Sequence, residues 1–557
     1  MVGAGLGDAA AKLHETIVVG SGPAGLTLAM ELARLGRPTL VLESGLAAPS
    51  HAQDLSAADI VDPSRHDDMS VAVARRFGGT SNLWGGRSMP LDPVDFTPRP
   101  FANGARWPIR YDALAPFYET ACRYTHCGEA AFDLAAPGLA AADDAFSLRS
   151  VERASNKPRF QKAHAETLAA SALIDIRLGV TVVDLKIAEN GRIDGVVVAD
   201  PGGGRATLRA KRVVLAAGGL ESTRLLLAAR LARPALFGGP DGPLGRYYMG
   251  HIIGEIADVV FADERLDAAF DFQLDGRGSF VRRRFTPSER LMRDADLPNI
   301  SFWPVVPPIA DARHASGPLS AVALALSTPL VGKALVAEAI RTRHLAGAID
   351  WAGHARNVAT DLPATAAFLA RFVRQRYFGA YRIPGYFLRN RARRYGLSYH
   401  AEQSPRRESR VALTGAHDRL GLPKLRIDLR FAGEDAEGVA RAHQHLARWL
   451  AASGFGRVEY RDAGRDPGQA VEALMSHGTH QLGTARMGFT RRDGVVDGDL
   501  RCFDCPNLFV LGSAVFPTSG QANPTLSIVA FAARLAAAIA AEAISAPRIV
   551  SRASAHV

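Results

Sequence analysis

Cysteine is scarce in this sequence: only four of the 557 residues are Cys, namely Cys122, Cys127, Cys502 and Cys505. So few cysteines exclude a disulfide framework and suit a reducing compartment. The four fall into two close pairs, and four thiolates could bind zinc. The two loops would have to meet, however, and no histidine reinforces either pair. We therefore expect buried, reduced thiols and no metal site.

The chain also lacks a targeting segment and lysine-rich runs. Residues 1–16 have no basic start followed by an apolar core, so no secretory signal is visible and a cytoplasmic chain is expected. The formal charge is +10, but most cations are arginines scattered among acids. This pattern is typical of a basic soluble enzyme and argues against nucleic-acid binding. A chain of 557 residues is too long for one compact core, so two or more domains are expected.

The first fifty residues contain the pattern of a nucleotide-binding βαβ unit. The β-branched run Ile17–Val19 leads into Gly20-Ser-Gly22-Pro-Ala-Gly25, after which apolar residues recur at helical spacing. The three glycines permit a tight turn, close approach of a pyrophosphate and close packing of helix on strand. A second strand, Thr39–Leu42, ends at Glu43, where a carboxylate can accept hydrogen bonds from the adenosine ribose and disfavours NADP. The pattern leaves FAD and NAD open.

Two further stretches point to the same domain. The loop Gly78-Gly79-Thr80-Ser81-Asn82-Leu83-Trp84-Gly85-Gly86 suits backbone that lies against a flat ligand, because glycine allows close approach. A strand at Arg212–Ala216 stops at Ala217-Gly218-Gly219 before the helix Glu221–Arg230, which is a second βα unit. The nucleotide-binding domain therefore resumes there and is discontinuous. Strand patterns at Ile252–Phe261 and Gly278–Phe285 suit a separate substrate domain.

Residues 305–398 differ in composition from their surroundings. The segment 315–332 is uncharged, but Pro318 and Pro329 interrupt it, so a membrane-spanning helix is a poor fit. The residues that follow, to Tyr395, are helical in pattern and rich in arginine and aromatic side chains. Two interpretations remain open. We favour a helical cap over a substrate pocket; the alternative is a basic amphipathic surface that lies on an anionic membrane.

The last hundred residues carry a candidate catalytic site. The glycine-rich loop Ser476–Gly488 contains His477 and His480. Further on, a strand ends at Gly512-Ser513, and Gly520-Gln-Ala-Asn523-Pro524-Thr525 precedes a long apolar helix. Asparagine followed by proline is a good helix start. The positive N-terminus of that helix suits an anionic or carbonyl group of a cofactor.

Five motifs together resemble the glucose–methanol–choline (GMC) flavoprotein oxidoreductases. They are the Gly20 fingerprint, the Gly78–Gly86 loop, the Gly245–His251 stretch, the His480–Gly488 motif and the Gly512–Thr525 segment. The resemblance implies FAD and a hydride taken from a carbon that bears a hydroxyl. The Asn-Pro-Thr sequence looks most like the sugar-oxidising branches, including pyranose oxidase and the fructose and gluconate dehydrogenases. The apolar insertion favours a less polar alcohol, so the substrate stays open.

The resemblance also assigns residues. His480 falls at the family's catalytic histidine and Asn523 at the second member of its pair, where an imidazole can take the hydroxyl proton and an amide can hold the oxygen. His477 is left as a buttress of the loop. Leu83 stands where the pyranose-oxidase branch carries a histidine bound to the flavin, so we predict non-covalent FAD. The predicted cofactor-binding residues are Gly20, Gly22, Pro23, Ala24, Gly25, Glu43, Ser44, Gly79, Thr80, Asn82, Leu83, Trp84, Gly85, Gly86, Val183, Ala217, Gly218, Gly512, Ser513, Asn523, Pro524 and Thr525.

The predicted fold class is α/β with two domains. A discontinuous Rossmann-like FAD-binding domain takes residues 14–100, 150–250 and 475–545. A substrate domain with a mixed or antiparallel sheet takes 101–149 and 251–474, with a helical insertion at 305–398, and residues 1–13 and 546–557 are tails.

The predicted function is FAD-dependent oxidation of the CH–OH group of a sugar, glycoside or other alcohol, with oxygen or a quinone as electron acceptor. The alternatives are a non-redox flavoprotein lyase on the same fold, and a dehydrogenase subunit that passes electrons to a quinone or cytochrome partner. The second alternative places the protein peripherally on the inner membrane face.

Overall fold

The computed structural model describes residues 2–328 and 349–545; the predicted tail 546–557 and residues 329–348 of the predicted insertion lie outside them. The strands are β1 (Val2–Ala4), β2 (Leu13–His14), β3 (Thr16–Val19), β4 (Thr39–Glu43), β5 (Ala58–Ile60), β6 (Arg87–Ser88), β7 (Phe146–Ser147), β8 (Val151–Ala154), β9 (Ile174–Leu178), β10 (Thr181–Ile187), β11 (Ile193–Ala199), β12 (Arg205–Ala210), β13 (Val213–Leu215), β14 (His251–Phe261), β15 (Gln273–Leu274), β16 (Phe280–Arg283), β17 (Thr286–Pro287), β18 (Ile300–Val305), β19 (Arg394–Glu402), β20 (Arg410–His417), β21 (Pro423–Asp428), β22 (Gly456–Tyr460), β23 (Arg501–Cys502) and β24 (Cys505–Val510). The α-helices are α1 (Pro23–Arg34), α2 (Met69–Ala72), α3 (Tyr118–Thr125), α4 (Phe160–Ala163), α5 (Ala165–Ala170), α6 (Gly219–Ala232), α7 (Glu264–Phe270), α8 (Glu289–Asp294), α9 (Gly317–Ser327), α10 (Trp351–Thr360), α11 (Leu362–Val373), α12 (Gly433–Ala452), α13 (Pro467–Glu472) and α14 (Thr525–Ser545).

A seven-stranded sheet in the order β1-β9-β4-β3-β13-β24-β23 carries the nucleotide-binding fingerprint. Strands β3, β4, β9, β13 and β24 run parallel. Their side chains are almost all buried, which is the pattern of parallel strands covered on both faces. The sheet draws strands from three distant stretches of the chain, and the predicted two-domain α/β fold is confirmed.

The prediction that residues 1–13 form a tail is wrong for most of these residues. Strand β1 adds to the sheet edge with Val2 opposite Ile176, and β2 pairs with β12. These strands contain two or three residues, too few to show a periodic pattern.

The four cysteines are free and buried, as the sequence predicts. The long apolar helix α14 is buried as well. By length and composition Thr525–Glu542 could span a membrane, but 61% of that stretch is buried inside the protein. It packs against α1 and α3, so it is a core helix of the nucleotide-binding domain.

The substrate domain is built on an antiparallel sheet in the order β18-β19-β14-β22. Helices α9, α10 and α11, followed by the π-helical turn Arg374–Phe378, form a cap beside it. The cap is shorter than the predicted insertion, because β19 begins at Arg394 and Tyr395 is buried in that strand. Pro318 lies in the first turn of α9, where proline starts a helix and does not interrupt one.

Candidate active site

A large cavity is lined by residues of both domains and of the cap. Its volume is about 1260 Å³. Most sites for small molecules occupy about 300–1000 Å³, so this space suits a dinucleotide cofactor together with a substrate. It begins at the carboxyl ends of β3 and β13, where ligands of α/β sheets bind, and ends under the aromatic side chains of the cap.

Glycines shape the cofactor end of the cavity. Gly79 has φ of +53°, and a Cβ there would lie 2.8 Å from Cα of Gly22, so the two loops approach this closely only without side chains. Gly218 and Gly512 also have positive φ, with open space where a Cβ would stand. The result is a cradle of bare backbone that fits a flat dinucleotide such as FAD.

Glu43 ties the fingerprint loop to the second strand. Its buried carboxylate accepts hydrogen bonds from Ser21 N at 3.1 Å, Ser21 Oγ at 2.7 Å and Gly45 N at 2.8 Å. A carboxylate can accept about four hydrogen bonds, so capacity remains for a ribose hydroxyl. Glu43 lines the cavity, where the sequence predicts ribose contact.

Three of the predicted cofactor residues do not line the cavity. Gly25 lies so close to Gly20 that a Cβ at position 25 would stand 2.0 Å from Gly20 O, so its role is in packing the fingerprint loop. The Asn82 amide donates to the carbonyls of Phe77 and Gly79 and so braces its own loop. Val183 lies at a β-bulge, and the adjacent Val182 lines the cavity instead. Every other predicted cofactor residue lines the cavity.

The predicted catalytic pair lies at the cavity wall. Asn523 precedes α14 and His480 follows α13, and the fold brings Asn523 Nδ2 to 3.3 Å from His480 Nε2. Burial is the main cause that lowers the pKa of His480 well below its usual value, and His477, His251 and Arg87 lower it further. The ring is therefore neutral at neutral pH and able to accept a proton.

Sequence reasoning missed two histidines beside this pair and left His477 aside. His251 Nδ1 lies 3.0 Å from His480 Nδ1, and the ring of His400 stacks on His251 with centroids 4.3 Å apart. Burial lowers the pKa of His251 to about 3 and that of His400 well below its usual value. The two come from strands β14 and β19, whose pairing no local pattern reveals.

For this cluster of histidines, the prediction of no metal site stays a prediction. Ring nitrogens of His251, His477 and His480 lie within 4.8 Å of one another. The two Nδ1 atoms of His251 and His480 share a hydrogen bond, and His477 Nε2 bonds to Thr479 Oγ1 at 2.8 Å.

A charged group of residues and an apolar group of residues form two walls of the rest of the cavity. Glu152 bonds to both Arg87 and Arg282, whose guanidinium carbons lie 4.5 and 5.0 Å from the ring centroid of Trp303. Burial raises the pKa of Glu152, but the two arginines outweigh it and bring the pKa to about 2. The apolar wall comes mainly from the cap and the strands beside it: Phe272, Val306, Ile309, Phe368, Phe372, Tyr386 and Phe387.

The glycine cradle and the adjacent imidazole–amide pair define a flavoprotein oxidoreductase. Comparison with known families agrees: an FAD binding domain model matches residues 15–240, and a GMC oxidoreductase model matches residues 405–532. The chain belongs to the GMC oxidoreductase family and is an FAD-dependent enzyme that oxidises CH–OH groups.

Some known relatives match about a quarter of this chain, and others match almost all of it. A C-glycoside 3-oxidase of Arthrobacter globiformis is 37% identical over 27% of this chain and 28% of its own length. Paromamine 6'-oxidase of Streptomyces fradiae is 23% identical over 98% of this chain and 94% of its own length. In fold, the chain is similar to pyridoxine 4-oxidase from Mesorbium loti, with a TM-score of 0.53, 16% identity and coverage of 94% of this chain and 99% of that one.

Proposed function

We propose that this enzyme oxidises a hydroxyl of a glycoside or related polyol that also carries an apolar group. His480 acts as the general base, and Asn523 orients the hydroxyl that reacts. The observation that carries the proposal is the placement of His480 Nε2 and Asn523 Nδ2 3.3 Å apart at the wall of the cavity that holds the cofactor cradle.

His480 and Asn523 act on different atoms of the substrate hydroxyl group. Neutral His480 takes the hydroxyl proton at Nε2, and general-base help of this kind contributes about 10²- to 10⁴-fold to a rate. The Asn523 amide N–H donates to the substrate oxygen and, unlike a second histidine, does not titrate. When bound, FAD would supply the acceptor for the hydride that leaves the same carbon, and the hydroxyl would become a carbonyl. Leu83 lines the cavity and has no nucleophilic atom, so it cannot bind the flavin covalently.

The two walls of the cavity fit a substrate that carries both sugar hydroxyls and an apolar group. The Glu152, Arg87 and Arg282 wall offers charged hydrogen-bonding groups to sugar hydroxyls. The cap offers aromatic and aliphatic surface to an apolar substituent. Two relatives, of Arthrobacter globiformis and Microbacterium trichothecenolyticum, are by their names oxidases of C-glycosides, which agrees with a glycoside substrate.

An anaerobic reduction screen tests this function. Holoenzyme is mixed without oxygen with aryl glycosides, free sugars and simple aliphatic alcohols, and the loss of flavin absorption is followed. We expect the aryl glycosides to reduce the flavin fastest, and H480A to slow reduction by about 10²- to 10⁴-fold with little change in substrate binding. H417A, at an exposed histidine outside the cavity, is the matched control. Flavin that no alcohol bleaches would instead support the lyase alternative.

A second proposal concerns the outer face of the cap. We infer that this face docks on an anionic membrane. Its exposed apolar side chains include Trp351, Tyr377 and Phe378, which are 56%, 54% and 80% exposed. Exposed Arg371 and Arg374 lie between them, and the segment from Leu362 to Phe378 contains no acidic residue. Aromatic side chains interleaved with arginine are typical of helices that lie in the headgroup region of anionic bilayers.

We propose further that the protein docks on the inner face of the membrane, in the cytoplasm, and that a quinone is its electron acceptor. Support comes from the cavity, since Leu369, Phe372 and Tyr377 of the same segment also line it. An apolar substrate or quinone could therefore enter the cavity from the bilayer side.

Co-sedimentation with lipid vesicles tests the docking. We expect binding to phosphatidylglycerol vesicles that falls in high salt, and none to phosphatidylcholine vesicles. The double variant Y377S/F378S should lose binding, whereas L231S, at an exposed leucine of α6, should keep it. Equal vesicle binding by both variants, or no binding by the wild type, would contradict the docking proposal. The helices would then form only a cap over the cavity. Reoxidation of the reduced enzyme by a quinone, compared with oxygen, tests the acceptor.

A further inference from the structure

His251 lies behind the proposed base, on the side away from Asn523. Its Nδ1 lies 3.0 Å from His480 Nδ1, whereas His480 Nε2 faces the Asn523 amide. The side chain is fully buried and does not line the cavity, so it cannot touch the substrate. Any effect of His251 on the reaction must act through His480.

The position of one proton follows from the neighbours of the two rings. Two Nδ1 atoms in hydrogen-bond contact share a single proton when both rings are neutral. The Asn523 Nδ2 group lies 3.3 Å from His480 Nε2 and can only donate, so Nε2 of His480 is the acceptor and the proton of this ring lies on Nδ1. His480 Nδ1–H then donates to His251 Nδ1 at 3.0 Å. Nδ1 of His251 is then a lone pair, and the proton between the rings belongs to His480.

Neighbouring rings hold this arrangement in place. His400 stacks on His251 with an interplanar angle of 18° and donates Nδ1–H to the carbonyl of Gln521 at 2.5 Å. His477 Nδ1 lies 3.2 Å from the backbone carbonyl of His251. Burial lowers the pKa of His480 most, and the charged or titratable groups that lower it further are His477, His251 and Arg87. The ring of His400 also faces His480, with centroids 5.8 Å apart.

We propose that His251 is a positioning residue that holds His480 as the Nδ1–H tautomer and leaves Nε2 free to take the substrate proton. The inference rests on the proposed role of His480 as base. The substrate O–H proton moves to Nε2 of His480, and the Nδ1–H bond to His251 persists and shares the positive charge that forms. His251 thus orients a histidine as a carboxylate does in many hydrolases, but without a charge.

Two substitutions at position 251 separate this role from packing. H251F removes the acceptor and keeps a ring, whereas the amide oxygen of H251N lies close to the former Nδ1. We expect H251F to slow anaerobic flavin reduction at saturating substrate by about a hundredfold, the scale of a misplaced reacting group, with the substrate dissociation constant and flavin content unchanged. H251N should recover most of the rate.

Histidine tautomers give a readout that does not depend on turnover. Two-bond ¹H–¹⁵N spectra of ¹⁵N-histidine-labelled holoenzyme, assigned by comparison with H480Q, should show His480 as the Nδ1–H tautomer in the wild type and H251N, and its loss in H251F. An Nε2–H tautomer of His480 in the wild type overturns the inference, whether or not H251F folds.

The kinetic results separate the two proposals. Full activity of H480A would overturn the proposed function itself. An inactive H480A together with an H251F variant of unchanged rate and unchanged tautomer would overturn only the role of His251.

Discussion

At the scale of single residues, the proposed site is an imidazole beside an amide. Burial and neighbouring groups keep the pKa of His480 low, so its ring is neutral at neutral pH without a carboxylate partner. The resemblance of the sequence motifs to a family was enough to predict His480 and Asn523 as a pair. His251 and His400 could not be predicted in this way, because they meet the site only through the pairing of two strands about 140 residues apart in sequence.

The low pKa of His480 predicts an unusual pH profile. A general base must be unprotonated, so kcat/KM for a neutral glycoside should stay level as pH falls through 6.5 and decline only at lower pH. R87Q removes a nearby positive charge, eases protonation of His480 and should move the decline to higher pH. R87K retains the positive charge, so the pH at which kcat/KM declines should stay unchanged. A decline centred at 6.5 or above in the wild type would contradict this prediction.

Close approach of two loops decides cofactor binding at the scale of elements. The turn Gly79–Asn82 lies against the fingerprint loop, and this close approach depends on Gly79, because a Cβ there would lie 2.8 Å from Cα of Gly22. The sequence predicts both loops as cofactor contacts. The sequence does not show that the two loops touch each other. They are far apart along the chain and come together only in the folded structure.

G79A should therefore weaken FAD binding. The new Cβ would lie 2.8 Å from Cα of Gly22, and φ of +53° adds the strain of a left-handed alanine, about 1 kcal/mol. We expect the FAD dissociation constant of the apoprotein, measured by flavin fluorescence quenching, to rise at least about tenfold. G36A is the control, since Gly36 has φ of +73° but open space around it, and its FAD affinity should stay unchanged. Equal FAD affinity of the two variants would contradict the cradle.

Burial of neutral histidines affects the stability of the whole molecule. His443 of α12 packs between Phe302 and Tyr399, and burial lowers its pKa to about 4. The unfolded chain, with an ordinary histidine pKa near 6.5, binds this proton more readily than the folded one. Stability is therefore complete above pH 6.5 and falls as pH decreases toward 4.

H443Q should reduce this acid sensitivity. At pH 5 the histidine costs about 2 kcal/mol of folding free energy relative to pH 7, and glutamine cannot titrate. The shift of the urea midpoint between pH 7 and pH 5 should therefore be smaller in H443Q than in the wild type. H417Q, at an exposed histidine, should show the wild-type shift. A shift in H443Q as large as in the wild type would show that His443 protonates without unfolding.

By itself, the sequence determined the α/β fold and the βα units of the nucleotide-binding domain, because glycine, helix-start and hydrophobic spacing act over a few residues. The resemblance of its motifs to a family added FAD and the prediction that His480 and Asn523 form the catalytic pair. Only the tertiary structure decided that β1 and β2 join sheets, that Val182 and not Val183 lines the cavity, and that three histidines lie around His480. Those contacts join residues that are far apart in the chain, so no local pattern of side chains records them.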